Sequence, residues 1–408
     1  MIPQVNFCGK LTTDDAASVR LEFVAAIGDW LLHLDERIDH QGRLLPYLIT
    51  GLTDSHPHVR QRSLQLLEAI GVLYEKDNEK ELKDILTYLP EEAHNIGWRS
   101  IGDAWAGGHA AGVFPEVFQQ RPRVGTRRVV ASSFPGVVGG IAGELRGWQP
   151  ENCCRAAALL EVYSVFVEDW MQQRVYEVVP AMLQAAAAGQ RPSAGADAAA
   201  AVAALGRCFG MMGLFVPLEG FMRMVEPVLL DVDLPAGLRA AAAAAVREFL
   251  NGARHRGGGD ECVRVALRLL VDHGLTESQS PLLKYAFLEL VGACIRQAGG
   301  GLLQELQLDL ADALLRLQAW PAAQEEAALG VAEAVEVDLG CLISRLADGR
   351  AESGSDVDAF LDHHQQALLQ RWQSLRYQRD VSDAASARLR RAVYAVDEYR
   401  RDSPRAAQ

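Results

Sequence analysis

The sequence predicts an all-α protein built from stacked helix pairs. Apolar residues recur at helical spacing through most of the chain, and turn signals divide the helical stretches into pairs. Short apolar sequences also recur along the chain at regular spacing, with a period of about 40 to 47 residues. Because one pair cannot bury its apolar faces alone, the pairs are expected to stack. These features predict a HEAT/armadillo-type α-solenoid of roughly seven to eight helix pairs.

The most regular stretch is residues 44–74, which we interpret as two helices joined by a turn. Pro46 is expected near the start of the first helix, where its missing N–H costs little. Gly71 is expected near the end of the second helix. Asp54 and Arg60 bracket the turn, and we expect them to join a partial ladder of ion pairs between repeats. The structural marker positions of this repeat are Pro46, Asp54, Arg60, Leu64, Leu67 and Gly71.

The repeat reappears further along the chain. The phrase LLEAIG at residues 66–71 nearly returns as FLELVG at residues 287–292. Prolines that follow an apolar residue by one or two positions also recur, at Pro135, Pro180 and Pro227. Like Pro46, each is expected near the start of the first helix of a pair.

The repeat pattern predicts a single solenoid over residues 1–346. Within it, the glycine-rich residues 91–125 are expected to form an irregular loop or a degraded repeat. Residues 347–358 are expected to be a linker, and residues 359–408 a charged helical tail. The first clear helix has no obvious partner. Either residues 1–11 form a degenerate first helix, or repeats that once preceded this helix are absent from the chain. We expect that earlier repeats are absent.

Composition disfavours several classes of protein. The net charge of −13 argues against a general nucleic-acid binder, because such binding depends on neutralising phosphates. The seven cysteines form no regular framework, which favours a reducing compartment. No signal peptide and no membrane-spanning run is recognisable in the sequence. A cytoplasmic protein without a membrane partner is expected.

No catalytic or metal-binding motif is recognisable in the sequence. His363 and His364 are adjacent, so they cannot form the i, i+4 pair of a zinc-binding helix. The glycine clusters at residues 257–259 and 299–301 follow helices rather than strands, which disfavours phosphate-binding loops. We therefore expect a protein that is not an enzyme and that needs neither cofactor nor metal.

Two groups of residues are candidates for binding a partner protein. The first is the local basic patch in QRPRVGTRR, which contains Arg121, Arg123, Arg127 and Arg128. It is either a solvated loop and helix start or a contact for an acidic segment of a partner. The second group is Trp98 and Trp105, which are candidates for exposed anchors in the glycine-rich stretch.

Several stretches resemble one known family. They are RLEFVAAIGDWL at residues 20–31, the run of residues 44–94, VGTRRVVASSFPGVVGGIAGELRGW at residues 124–148, and RAAALLEVYSVFVED at residues 155–169. Together they resemble the fifth of the axonemal dynein assembly factors, a HEAT-repeat family. The resemblance is clearest over residues 15–185. This chain looks shorter than the members of that family.

The resemblance implies a non-enzymatic scaffold in the cytoplasm of ciliated or flagellated cells. Such a protein would help to preassemble outer and inner dynein arms, which cilium motility requires. Its implied partners are axonemal dynein heavy and intermediate chains, heat-shock chaperones and other dynein assembly factors. A different hypothesis is a generic HEAT-repeat adaptor, such as a transport receptor or a phosphatase scaffold.

Overall fold

The computed structural model describes residues 6–88, 112–191, 195–272, 275–277, 280–318 and 325–346, with part of 360–370. In these ranges every regular element is a helix, which confirms the all-α class. The α-helices are α1 (Phe7–Thr12), α2 (Ala17–His33), α3 (Arg37–Thr50), α4 (Pro57–Asp77), α5 (Glu79–Tyr88), α6 (Val124–Leu145), α7 (Pro150–Val167), α8 (Val175–Gly189), α9 (Ala196–Phe215), α10 (Leu218–Leu230), α11 (Ala236–Ala253), α12 (Gly259–Asp272), α13 (Pro281–Gln297), α14 (Gly300–Gln318) and α15 (Glu325–Leu346). Short 3-10 segments lie at Gly51–Thr53, Glu168–Arg174, Arg254–Arg256 and Leu275–Glu277.

The chain forms two compact units. The first contains Met1–Pro227 and Asn251–Gly257, and the second contains Val228–Leu250 and Gly258–Gln408. The predicted boundaries at residues 346 and 358 stay predictions.

In the first unit, short helix α1 packs on α2 and α3. Helix α1 therefore gives α2 a helical partner, and the expectation that earlier repeats are absent stays a prediction. Helix α2 packs on α3 and α4, and α7 packs on α6 and α9. Although α5 and residues 89–111 intervene in the sequence, α6 packs directly on α4. Stacking therefore continues directly from α4 to α6.

The contact between α4 and α6 is made at two glycines. Gly71 lies inside α4, which continues to Asp77, so the prediction that Gly71 ends this helix is wrong. A Cβ atom at Gly71 would meet the Thr126 side chain and lie 2.6 Å from its backbone nitrogen. A Cβ atom at Gly125 would meet the carbonyl oxygen of Gly71. The absence of both side chains lets the two backbones touch.

The recurring prolines lie inside helices rather than at their starts. Pro46 lies inside α3, which begins nine residues earlier at Arg37. Pro135, Pro180 and Pro227 likewise lie inside α6, α8 and α10. The predicted start at Pro46 is wrong because most of the residues between Arg37 and Pro46 are polar and carry no apolar stripe. Each proline removes one backbone hydrogen bond and favours a bend at that point.

Helix α9 is long and apolar enough in composition to cross a membrane. In the structure it packs against α7 and α8, and most of its apolar length is buried inside the protein. Its apolar character is explained by its place in the core of the first unit.

The second unit buries a lysine between two helices. Helix α12 packs on α13 and α14, and α14 packs on α15. The side chain of Lys284 on α13 is 1% exposed, and its Nζ donates to the carbonyl oxygen of Leu317 at 3.2 Å. A cation at the C-terminal end of α14 is favourable because the carbonyl groups there carry partial negative charge. Burial nevertheless lowers the pKa of Lys284 to about 8.

This pKa makes the stability of the protein depend on pH. The ordinary pKa of lysine is 10.5, so between about pH 8 and 10.5 the unfolded chain binds more protons at this residue. The free energy of unfolding should therefore rise with pH across that window. Urea unfolding at pH 7.5 and 9.5 should show the wild type gaining about 2 kcal/mol relative to Lys284→Met, whose side chain does not titrate. An equal response in both proteins would contradict this prediction.

Candidate partner-binding site

Four of the predicted site residues lie where residues 112–123 lead into α6. These are Arg121, Arg123, Arg127 and Arg128. The segment is irregular, and its Phe118 ring packs edge-on against Phe166 of α7 at 5.3 Å. The other two candidates, Trp98 and Trp105, lie outside the described residues.

Two of the arginines bind one buried carboxylate. The Nε and Nη2 atoms of Arg121 each donate to Glu168 at 2.9 Å, which is the bidentate geometry of a strong charged pair. Arg127 Nη1 lies 3.6 Å from the same carboxylate. The side chains of Arg121, Arg127 and Glu168 are 7%, 5% and 1% exposed. The expectation of a solvated patch is wrong for these two arginines, because their acidic partner lies within the chain itself.

Arg123 and Arg128 lie closer to the surface. Arg123 Nη2 lies 2.6 Å from Glu75 Oε2 of α4, and the arginine side chain is 49% exposed. The other oxygen of Glu75 accepts a hydrogen bond from the Gly125 N–H at 3.0 Å, so Glu75 fastens the start of α6 to α4. The Arg128 guanidinium lies 5.2 Å from the ring centroid of Trp170, a cation–π arrangement.

Glu168 sits on a strained backbone. It has φ +49° and ψ −122°, and it is the junction between α7 and the 3-10 segment Glu168–Arg174. A side-chain-bearing residue with this φ costs free energy, which its surroundings must offset. The two buried arginines provide that compensation. Burial raises the pKa of the next residue, Asp169, and the Glu168 carboxylate adds to the rise.

Arg121 and Arg123 therefore tie the segment before α6 to Glu168 and to α4, whereas Arg128 and Trp170 form a small patch at the surface. The indole of Trp170 is 37% exposed and lies beside the half-buried Arg128. An exposed aromatic ring next to a cation is a common component of protein interfaces. No group of three or more His, Cys, Asp or Glu residues in the described part of the chain is arranged to hold a metal ion. The exposed ring of Trp170 and the cation of Arg128 form a surface that suits contact with another protein.

Of the repeat positions that the sequence predicts, Asp54 forms an ion pair between repeats. Asp54 does not cap α4, whose N-cap is His56. Instead the Asp54 carboxylate accepts bonds of 2.6 and 2.9 Å from Arg20 Nε and Nη2 on α2. Arg60 Nη1 donates to the carbonyl oxygens of Asp54 and Ser55. Leu67 is buried in α4. Leu64 is half-buried there.

Further ion pairs join the second helix of one pair to the second helix of the next pair. Arg207 of α9 donates to Glu161 of α7 at 2.6 and 2.9 Å. Arg247 of α11 pairs with Glu289 of α13. These pairs were not predicted, although their separations of 46 and 42 residues match the repeat period and were available as a signal.

Two family models match the chain. One, described as Dynein axonemal assembly factor 5-like TPR repeats, matches residues 6–85. The other, described as the HEAT-repeat domain of Dynein axonemal assembly factor 5, matches residues 114–321.

Curated relatives carry the same name. Human Dynein axonemal assembly factor 5 is 26% identical over 231 residues, which cover 57% of this chain and 24% of the human protein. The Xenopus laevis protein is 29% identical over 163 residues, covering 40% of this chain and 17% of that protein. The matched region thus spans about a quarter or less of these relatives.

Solved structures of helical repeat proteins also align with the chain. A Kap121p mutant aligns with 94% of this chain and 44% of its own, at 10% identity and a TM-score of 0.42. Importin beta aligns with 89% of this chain and 45% of its own, at 14% identity and a TM-score of 0.32.

The family comparison completes the description of the fold. The HEAT-repeat match covers α6 to α14, where the helices follow one another in pairs, and it confirms the predicted HEAT/armadillo-type α-solenoid. This single match accounts for about half of the chain, and the TPR match of the same family covers α1 to α4 and most of α5. The chain therefore belongs to the Dynein axonemal assembly factor 5 family.

Proposed function

We propose that this chain is a non-enzymatic scaffold for the cytoplasmic preassembly of outer and inner axonemal dynein arms, on which cilium motility depends. The observation that carries the proposal is the match of two models of one assembly-factor family to successive parts of the chain. The fold is compatible with this role, because stacked helix pairs offer long helical surfaces for other proteins.

The proposed partners are axonemal dynein heavy and intermediate chains, acting with heat-shock chaperones and other dynein assembly factors. We assign the first contact to the patch formed by Arg128 and Trp170. Trp170 offers an exposed aromatic face, and Arg128 offers a cation beside it.

Affinity purification tests this proposal. The tagged chain would be expressed in ciliating cells, recovered from the cytoplasm, and analysed by quantitative mass spectrometry. Dynein heavy and intermediate chains should be enriched together with chaperones. Arg128→Ala/Trp170→Ala should reduce the recovery of dynein chains about tenfold, which corresponds to the loss of roughly 1.4 kcal/mol at an interface.

Trp148→Ala is the matched control. Trp148 is 87% exposed in the turn between α6 and α7, so its removal also deletes a surface indole but lies outside the proposed patch. Its recovery of dynein chains should equal that of the wild type. Reproducible recovery of other proteins without dynein chains would refute the assembly role and favour a general HEAT-type adaptor. Equal losses in both variants would remove the assignment to Arg128 and Trp170.

A further inference from the structure

Three apolar side chains are exposed together where α2 turns into α3. Trp30 lies in the last turn of α2, Leu34 follows the end of that helix, and Ile38 lies in the first turn of α3. Their side chains are 47%, 41% and 70% exposed. The turn is compact, because the Leu34 N–H donates to the Trp30 carbonyl oxygen at 3.1 Å and the Arg37 N–H donates to the Leu34 carbonyl oxygen at 3.2 Å. We call the three side chains the Trp30 surface.

The Trp30 surface continues an apolar stripe whose other half is covered by helices. Phe23, Ile27, Trp30 and Leu34 recur at i, i+4, i+7 and i+11, which places them along one side of α2. Phe23 and Ile27 are buried, and α2 packs on α3 and α4. The stripe continues past this packing, so its last two residues remain in contact with solvent. Since helices cover the buried half, a helix is the kind of element that suits the open half.

The residues around the Trp30 surface are acidic. Four exposed carboxylates lie within residues 29–39, those of Asp29, Asp35, Glu36 and Asp39. Arg37 lies among them, but its guanidinium pairs with Asp77 of α4. Carboxylates around apolar side chains repel nucleic acids and anionic lipid headgroups, and they attract lysine and arginine. The charge around the surface therefore favours a basic partner.

We propose that the Trp30 surface binds an amphipathic helix of a partner protein, whose apolar side is flanked by lysine or arginine residues. The apolar side of this helix would cover Trp30, Leu34 and Ile38, and its basic residues would lie beside the carboxylates. A further helix pair stacked against α1 and α2 would lie along their sides, so the turn that carries Leu34 and Ile38 would stay open. The surface shares no residue with the patch of Arg128 and Trp170, so this inference does not depend on dynein binding.

Binding of a labelled peptide to the intact chain tests the proposal. The probe is a dye-labelled peptide of about 18 residues, or five helical turns, made of leucine and lysine with leucines at i, i+3, i+4 and i+7. Its affinity is measured by fluorescence anisotropy. A peptide of the same composition in scrambled order lacks the apolar side, and a leucine–glutamate peptide carries the opposite charge.

Leu34→Ser/Ile38→Ser is the test variant for the apolar side chains. Val232→Ser/Val337→Ser is the matched control, because Val232 and Val337 are 75% and 70% exposed and lie outside the Trp30 surface. Circular dichroism of both double variants should match that of the wild type, since the four side chains are partly or largely exposed.

The chain should bind the leucine–lysine peptide, and Leu34→Ser/Ile38→Ser should weaken this binding about tenfold, because central apolar side chains dominate the affinity of such interfaces. Val232→Ser/Val337→Ser should bind the peptide as the wild type does. Equal affinities of the two double variants would overturn the proposal. So would equal binding of the scrambled peptide or of the leucine–glutamate peptide, because recognition of an apolar side or of basic residues would then be absent.

A further variant tests the acidic residues and leaves the apolar side chains in place. Asp35→Asn/Asp39→Asn should weaken the binding of the leucine–lysine peptide several-fold at about 0.05 M salt and have little effect at about 0.5 M salt, because salt screens interactions between exposed charges. If this variant bound the peptide as tightly as the wild type at the lower salt concentration, the choice of a basic partner would be wrong.

Discussion

Glu168→Ala is expected to lower the free energy of unfolding by about 3 to 5 kcal/mol. The carboxylate is 1% exposed and holds the buried guanidinium of Arg121 through two hydrogen bonds, with Arg127 beside it. Removing it takes away the carboxylate that both buried guanidinium groups share. Urea unfolding of the wild type and the variant, followed by circular dichroism, measures the difference.

Two further variants separate charge from other effects. Glu219→Ala removes an ion pair with Arg223 at the surface, where the side chains of Glu219 and Arg223 are 78% and 71% exposed. This variant should change the free energy of unfolding by less than about 0.5 kcal/mol.

Glu168→Gly should lower the free energy of unfolding by about 1 kcal/mol less than Glu168→Ala does, because glycine tolerates φ +49°. A stability of Glu168→Ala close to that of Glu219→Ala would show that the buried pairs contribute little.

Gly71→Ala is expected to destabilise the protein by about 3 kcal/mol. The new methyl group would lie 2.6 Å from the backbone nitrogen of Thr126, so α4 and α6 would have to separate. A backbone atom cannot move aside as a flexible side chain can. The midpoint of urea unfolding is the appropriate measurement, because the contact lies in the core of the first unit.

Gly140→Ala is the control for this substitution. Gly140 lies in α6, and a Cβ atom there would meet no heavy atom within 4 Å. Alanine favours helix over glycine by about 1 kcal/mol, so this variant should be as stable as the wild type or more so. If the two alanine variants unfolded at the same urea concentration, the close approach at Gly71 would not be a constraint.

The helical architecture was predictable because it is encoded in local periodicity. The stripe that contains Leu67 identified α4, which begins at Pro57, a residue suited to the first turn of a helix. The start of α3 was not predictable in the same way, because Arg37 and the residues after it are mostly polar. They are helical because the helix continues back from the buried Leu45 and Leu48.

The candidate site was predictable in composition but not in geometry. The sequence identifies a cluster of basic residues, but it does not indicate that Arg121 binds Glu168, 47 residues further on. That pairing depends on the irregular residues 112–123 and on the positive φ of Glu168, neither of which follows a periodic pattern. Gly71 was misplaced for a related reason, because the sequence does not tell a helix end from a close contact.

The direct contact between α4 and α6 joins the parts of the chain that the two family models match. Gly71 lies in the region matched by the TPR-repeat model, and Gly125 and Thr126 lie in the region matched by the HEAT-repeat model. Because a Cβ atom at Gly71 would meet Thr126, the backbone of one region is fitted against the backbone of the other. A larger residue at Gly71 or Gly125 is therefore expected to loosen the junction between the two matched regions as well as the packing of one helix.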